Sequence, residues 1–176
     1  MLFMGLSATC AMNAQNSTAI QAGSAAPGFY TKTLEGADFF SRDYFGTPRD
    51  MPKAKKERQH TILSFFATWC SPCRKEIPEL ERLMDQHPSV KFFLVDVGEV
   101  EDQIVTHLKT TPIRLPILLD RYGLVAKKFG VMDGQTNTAV LPTLVIVDQS
   151  GVIRYFKKGY TDGDEKKIEE EILKLQ

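Results

Sequence analysis

Cys70 and Cys73 are separated by Ser71 and Pro72, and this Cys-x-x-Cys spacing is the strongest chemical signal in the chain. An apolar run at residues 62–67 precedes the pair, and a polar, helix-like segment follows it. This order predicts a buried strand, a sharp turn and a helix whose first turn carries the pair, where residues three apart share one face and can form a disulfide. Unpaired N–H groups and the helix dipole favour the thiolate there, which is the reactive form of cysteine. The spacing therefore predicts a redox site.

The third cysteine, Cys10, lies in an N-terminal segment that resembles a secretory signal. Residues 1–12 are mostly apolar, small and polar residues follow, and cleavage is expected near Ala14, although no Lys or Arg precedes the apolar part. We therefore predict a signal segment and flexible tail at residues 1–22, a domain at residues 23–176, and a location outside the cytoplasm. A disordered tail without signal function and a lipid anchor at Cys10 are the alternatives.

Composition and charge limit the classes of function. The chain has 176 residues, of which 43% are hydrophobic, and this is enough for one domain with a real core. Lys plus Arg number 22, and so do Asp plus Glu, which gives a net charge of zero. The chain therefore lacks the excess of basic residues that would indicate nucleic acid as a partner. No stretch predicts a membrane span. Two polar segments, residues 49–60 and 132–139, are expected to be solvated loops, and the first is rich enough in Lys and Arg that a docking patch is its alternative.

The elements that must position the cysteine pair alternate between strands and helices. Hydrophobic periodicity and turn residues predict the following elements: a hairpin at 29–34 and 37–40, strands at 61–66, 90–97 and 115–119, helices at 71–86, 99–109 and 122–129, a second hairpin at 144–147 and 152–156, and a last helix at 161–176. Such alternation predicts an α/β fold with a partly parallel central sheet and antiparallel edges from the last hairpin.

Two details of these helices are also predicted. The helix at 99–109 is expected to turn Val100, Ile104, Val105 and Leu108 inward. Thr161 is expected to cap the N-terminus of the last helix, because Thr is a common N-cap residue and acids follow it.

The stretch FFATWCSPCRKEIPEL resembles the active-site signature of thioredoxin-like proteins, and more narrowly that of the TlpA/ResA branch of extracytoplasmic thiol–disulfide oxidoreductases. AAPGFYTKTLEG resembles the opening hairpin of that branch, residues 99–130 resemble its helical insert, and LPTLVIVDQSGVI resembles the segment with its cis-proline. The resemblance implies a thioredoxin-like three-layer α/β/α sandwich with a mixed central sheet, an N-terminal β-hairpin and a helical insert.

The resemblance also implies roles for individual residues. Cys70 would be the exposed nucleophile and Cys73 the more buried resolving thiol, with Trp69 and Pro72 as supporting neighbours. Pro142, preceded by Leu141, would adopt the cis form opposite the disulfide, and this segment would offer backbone groups to an extended substrate chain.

One acidic residue is singled out in the same way. In cytoplasmic thioredoxin a buried acid lies six residues before the first cysteine, and here Ser64 occupies that position. Ser64 cannot act as a base near neutral pH. The resemblance aligns Glu76 with an acid close to the cysteines, which makes it the candidate for their proton chemistry, while an ordinary exposed helix acid is the alternative.

The function implied is reduction of disulfides in client proteins by dithiol–disulfide exchange, with cytochrome c maturation among the open client pathways. No metal or organic cofactor is expected beyond the Cys70–Cys73 disulfide. The expected partners of this monomer are disulfide-containing clients and a membrane thiol reductant of the DsbD/CcdA type.

Three alternatives stay open. The first is a non-catalytic binding or chaperone module, and the second is a thiol peroxidase, although neither cysteine has Thr three residues before it. The third is half of a zinc site, which would need further ligands. The three histidines, His60, His87 and His107, are scattered and are expected to be surface residues.

Overall fold

A computed structural model describes residues 19–46 and 58–175. Cys10, most of the predicted signal segment at 1–22 and most of the basic loop at 49–60 lie outside the described residues. Within the described ranges, no helix is both long and apolar enough to cross a membrane.

The described residues form strands and helices in the predicted alternation. The strands are β1 (Tyr30–Thr33), β2 (Asp38–Phe40), β3 (Thr61–Phe66), β4 (Lys91–Val97), β5 (Ile117–Asp120), β6 (Thr143–Val147) and β7 (Ile153–Lys158). The α-helices are α1 (Cys73–Gln86), α2 (Glu101–Thr110), α3 (Leu124–Lys128) and α4 (Asp164–Leu173).

The strands form one mixed sheet in the order β2-β1-β5-β4-β3-β6-β7. The three central strands β5, β4 and β3 are parallel, whereas the other neighbours are antiparallel. Every residue of β3 is buried, as expected for a strand covered by helices on both faces. The final hairpin contributes one edge strand, β7, rather than two, because β6 pairs with both β3 and β7.

Helices cover both faces of this sheet, which confirms the predicted thioredoxin-like α/β/α sandwich. One buried cluster joins Ile62, Leu94 and Leu144 of the sheet to apolar residues of α1, α2 and α4, and it includes both cysteines of the pair. A second cluster, on the opposite face, joins Phe65 and Val95 to α3 and to the N-terminal hairpin. Adjacent residues of a strand point to opposite faces, so β3 contributes to both layers.

For α2, the prediction of an inward orientation is wrong for two of the four apolar residues. In α2 Ile104 is buried and Leu108 is partly buried, but Val100 and Val105 are exposed. Val100 precedes the helix, and Val105 points away because successive helical residues are turned by about 100°.

The last helix begins at Asp164, and its N-cap is Gly163, with φ 95°, rather than Thr161. The carboxylate of Asp164 instead accepts a hydrogen bond from the backbone N–H of Thr161 at 2.7 Å. The side chain of the first helical residue therefore reaches back to the loop, which reverses the predicted direction of this capping contact.

Candidate active site

The cysteine pair lies where β3 ends and α1 begins. Cys73 is the first residue of α1, and Pro72 occupies its N-cap with φ −66°, an angle that the proline ring favours. A disulfide joins Cys70 and Cys73, with an S–S distance of 2.03 Å and a Cα–Cα distance of 5.3 Å. The spacing read from the sequence therefore places both sulfur atoms at a helix N-terminus.

The cysteines are less accessible than the resemblance implied. Cys70 is 3% exposed and Cys73 is 1% exposed, so the prediction of an exposed Cys70 is wrong for this oxidised form. The physical reason is that the Cys70 sulfur is turned inward to bond with Cys73. The backbone N–H of Cys73 also donates to Sγ of Cys70 at 3.3 Å, and such a donor stabilises negative charge on that sulfur when the disulfide is reduced.

Exposed residues surround the buried disulfide. Trp69 is 66% exposed, and Ser71 and Pro72 are exposed as well. An open groove of about 460 Å³ runs between Ser71, Pro72 and Lys75 on one side and residues 160–162 on the other. A polypeptide that approaches the disulfide therefore meets these side chains first.

Pro142 lies at the same end of the central strands as the cysteine pair. Thr143 pairs with Phe65 in antiparallel register, so the residues just before β6 lie beside the loop that leaves β3. The Leu141–Pro142 peptide bond is cis, as the resemblance implied. The carbonyl of Pro142 accepts from Gly159 N–H at 2.7 Å, whereas the backbone of Leu141 makes no hydrogen bond with any other described residue. Leu141 therefore has backbone groups available for pairing with another chain.

Glu76 is buried one turn after Cys73 on the same face of α1, with 3% of its surface exposed. The hydroxyl of Ser64 in β3 donates to Glu76 Oε2 at 2.6 Å. The alternative of an ordinary exposed helix acid is therefore wrong. The carboxyl group of Glu76 contacts the very strand position where cytoplasmic thioredoxin carries its buried acid.

Burial raises the pKa of Glu76 from 4.5 to about 7. The hydrogen bond from Ser64 lowers this pKa, the negative charges of Asp164 and Glu79 raise it, and the positive charge of Lys157 lowers it. Lys157 and Asp164 form an ion pair with each other at the start of α4. A carboxyl group with a pKa near neutrality can accept and release a proton under ordinary conditions.

The structure adds a second buried acidic group that the sequence reasoning missed. Glu99 accepts hydrogen bonds from Thr68 N–H at 2.6 Å and from Thr68 Oγ1 at 2.5 Å. The Glu99 backbone N–H donates to Asp96 Oδ1 at 3.3 Å, and Asp96 is fully buried near the end of β4. Thr68 directly precedes Trp69, so this acidic pair is hydrogen-bonded to the turn that carries Cys70. One Asp near the end of the mostly apolar run VKFFLVDV was the available sequence signal.

The remaining polar candidates do not join this site. Of the residues at 19–46 and 58–175, no group of three or more His, Cys, Asp or Glu side chains is arranged to hold a metal ion. His87 is buried rather than on the surface, because it follows α1 directly and lies against Glu169 of α4, with Nε2 and Oε1 3.9 Å apart.

Comparisons with known proteins agree with this geometry. Residues 22–156 match the AhpC/TSA family. The thiol-disulfide oxidoreductase ResA of Geobacillus thermodenitrificans is 30% identical over 139 residues, which cover 78% of this chain and 69% of that protein. The sporulation thiol-disulfide oxidoreductase A of Bacillus subtilis is 30% identical over 136 residues, covering 74% of this chain and 70% of that protein.

A solved structure gives the same result for the fold. The crystal structure of StoA from Bacillus subtilis superposes on this chain with a TM-score of 0.60 and 28% sequence identity. The superposition covers 84% of this chain and 97% of that one.

Proposed function

The chain belongs to the AhpC/TSA family and is a thiol–disulfide oxidoreductase, and we propose that it reduces disulfides of client proteins outside the cytoplasm. The observation that carries this proposal is the Cys70–Cys73 disulfide at the start of α1, with a backbone N–H directed at the Cys70 sulfur. The location rests on the signal-like composition of residues 1–22.

The proposed reaction transfers two electrons from the dithiol to the client. The Cys70 thiolate attacks one sulfur of the client disulfide, a mixed disulfide forms, and the other client sulfur leaves as a thiolate that takes up a proton. Cys73 then loses its proton and attacks Cys70 Sγ, which releases the second client thiolate. The protein ends in the disulfide form that the structure shows.

Glu76 is the candidate proton acceptor for Cys73. Both residues are buried on one face of α1, and the pKa of Glu76, at about 7, allows its carboxylate to take a proton as Cys73 becomes a nucleophile. Ser64 holds the carboxyl group in place. The Cys70–Cys73 pair is the only redox group that these proposed steps need.

The client is proposed to bind as an extended chain beside Leu141. The free backbone groups of Leu141 allow pairing with a client strand, and Pro142 would form the wall behind it. Trp69 and Pro72 would contact the client at the other side of the disulfide. After each turnover a membrane thiol reductant of the DsbD/CcdA type would restore the dithiol, and the protein would act as a monomer. Apocytochrome c is one client class that fits this scheme.

Insulin reduction by a small thiol tests the activity. The wild-type protein is expected to accelerate precipitation of the insulin B chain, and Cys70→Ser and Cys73→Ala are expected to abolish this acceleration. Cys10→Ser, made in the full chain that keeps residues 1–22, is the matched control and should behave as wild type.

Client trapping in the native compartment tests whether client proteins exchange disulfides with Cys70. Cys73→Ala should accumulate mixed disulfides through Cys70, since the resolving thiol is missing. Absence of both insulin reduction and trapped clients would favour the binding or chaperone module instead.

A further inference from the structure

The acidic pair Asp96 and Glu99 lies directly behind the turn that carries Trp69 and Cys70. Both carboxylate oxygens of Glu99 accept hydrogen bonds from Thr68. Among the described residues, these are the only hydrogen bonds that connect the segment after β4 to this turn. Hydrogen bonds to an ionised carboxylate are stronger than neutral ones. Glu99 is therefore the anchor of the turn in its charged form.

Asp96 has a different environment. It is 0% exposed, its Oδ1 accepts from the backbone N–H of Glu99, and no donor among the described residues reaches its Oδ2. A buried carboxylate oxygen without a donor is costly. The cost disappears if Asp96 is protonated, because its O–H can then donate to the neighbouring Glu99 carboxylate.

The charges around the pair favour one shared proton rather than two negative charges. Burial, the hydrogen bond with Glu99 and the charge of Glu99 raise the pKa of Asp96 to about 8, and Asp120 at the end of β5 adds to this effect. Both carboxylate oxygens of Asp120 accept from backbone N–H groups at the start of α3. The other charged groups here are Lys32 of β1, Glu101 of α2 and Arg121 after β5, which line an open groove of about 310 Å³ together with Glu99 and Asp120.

We propose that Asp96 is a positioning residue for disulfide exchange. Its proton, donated to Glu99, keeps Glu99 bonded to Thr68 and thereby holds the Thr68–Trp69 turn over the Cys70–Cys73 disulfide. When the proton is lost at alkaline pH, two negative charges meet in a buried site, Glu99 moves away, and the turn is released. The disulfide then becomes more accessible to an attacking thiol. This role rests on the proposed disulfide exchange, because only then does access to Cys70 matter.

Trp69 allows a direct test, since it is the only tryptophan of the chain. The fluorescence of the oxidised protein is followed from about pH 6 to about pH 9, a range in which the disulfide cysteines do not titrate. Wild type is expected to show a step near pH 8, and Asp96→Asn is expected to lack it, because the amide donates to Glu99 at every pH. Asp120→Asn is the matched control among the neighbouring acids and should keep the step, at a somewhat lower pH because the charge of Asp120 helps to raise the pKa of Asp96.

Glu99→Gln is a second variant that should lack the step. With residue 99 uncharged, loss of the Asp96 proton no longer brings two negative charges together, so the turn is not released. A step in Asp96→Asn at the wild-type midpoint, or no step in wild type, would overturn the proposal.

The reaction itself gives an independent readout. The rate constant for reduction of the disulfide by dithiothreitol is measured for wild type and Asp96→Asn across the same pH range. The ratio of variant to wild type should be constant below about pH 7 and fall above about pH 8, because only wild type releases the turn. A ratio that is independent of pH would mean that Asp96 is merely structural. Neither measurement requires a client, so failure of client reduction would not mimic failure of this proposal.

Discussion

Replacement of Glu76 by Gln should make the stability of the protein less dependent on pH. Glu76 is buried, and its pKa of about 7 lies above the ordinary value of 4.5. Gln has nearly the same shape, keeps an oxygen that can accept the hydrogen bond from Ser64, and does not titrate. The substitution therefore removes the proton equilibrium while it preserves the packing between α1 and β3.

The direction of this pH dependence follows from the pKa of Glu76, which is higher in the folded chain than in the unfolded chain. Below about pH 4.5 both the folded and the unfolded chain hold the proton, and between about 4.5 and about 7 mainly the folded chain holds it. Stability from this group is thus fully present at low pH and is lost as the pH rises through about 7. Each pKa unit corresponds to about 1.4 kcal/mol, so the rise to about 7 corresponds to a loss of about 3 kcal/mol.

Urea denaturation of the oxidised protein at several pH values measures this effect. The free energy of unfolding of Glu76→Gln, minus that of wild type, should be near zero at about pH 4.5 and rise toward about 3 kcal/mol at about pH 8. The titration of Asp96 occurs in both proteins and cancels in this difference. Asp102→Asn, at an exposed acid in the first turn of α2, is the matched control and should give a difference that does not vary with pH.

A difference for Glu76→Gln that stays constant across this range would refute the reasoning, since it would mean that Glu76 ionises as it does in the unfolded chain. Ser64→Ala adds a second check. The hydrogen bond from Ser64 lowers the pKa of Glu76, so its loss should move the midpoint of the pH dependence upward.

Three further predictions concern the scaffold. Gly151→Ala should lower stability by about 1–3 kcal/mol more than Gly36→Ala in thermal unfolding, because φ is similar at both glycines, 86° and 84°, but only at Gly151 would the added Cβ lie 2.7 Å from Gly46 Cα. Equal losses would contradict this close approach. Leu83→Ala, at a 0% exposed position of α1, should cost about 2–5 kcal/mol in urea denaturation, with an unchanged fold by circular dichroism. Asp120→Ala should cost about 0.5–2 kcal/mol, since its carboxylate accepts from two N–H groups in the first turn of α3, and faster hydrogen exchange at those amides would identify the cause.

Much of the fold could be predicted because its signals are local. The strand at residues 61–66 was predicted with the bounds that β3 has, since a mostly apolar run ends at the turn before the cysteines. The helix α1 was predicted with the right end, at Gln86, because His87 and Pro88 stop it. The prediction of Thr161 as the N-cap of α4 is wrong, because Thr is only a common residue at helix N-termini, and the path of the chain places Gly163 there instead.

The candidate site was predictable in part. Glu76 falls on the apolar stripe of α1, three residues after Cys73, but its charge argues against burial. The sequence was therefore compatible with two hypotheses, an acid beside the cysteines and an exposed helix acid. Ser64 makes burial tolerable by donating a hydrogen bond from another strand. Asp96 was visible as one acid in an apolar strand, yet its partner, Glu99, and the contact with Thr68 depend on how the ends of β3 and β4 meet.

The sequence by itself determined the chemistry of the cysteine pair, because a Cys-x-x-Cys spacing at the start of a helix is a local arrangement that needs no distant partner. The tertiary structure alone decided what surrounds the pair. Antiparallel pairing of β6 with β3 places Leu141 and Pro142 beside the end of β3, from which the chain continues to Cys70. Packing of α1 on β3 buries Glu76 and raises its pKa, since desolvation depends on atoms that come from separate parts of the chain.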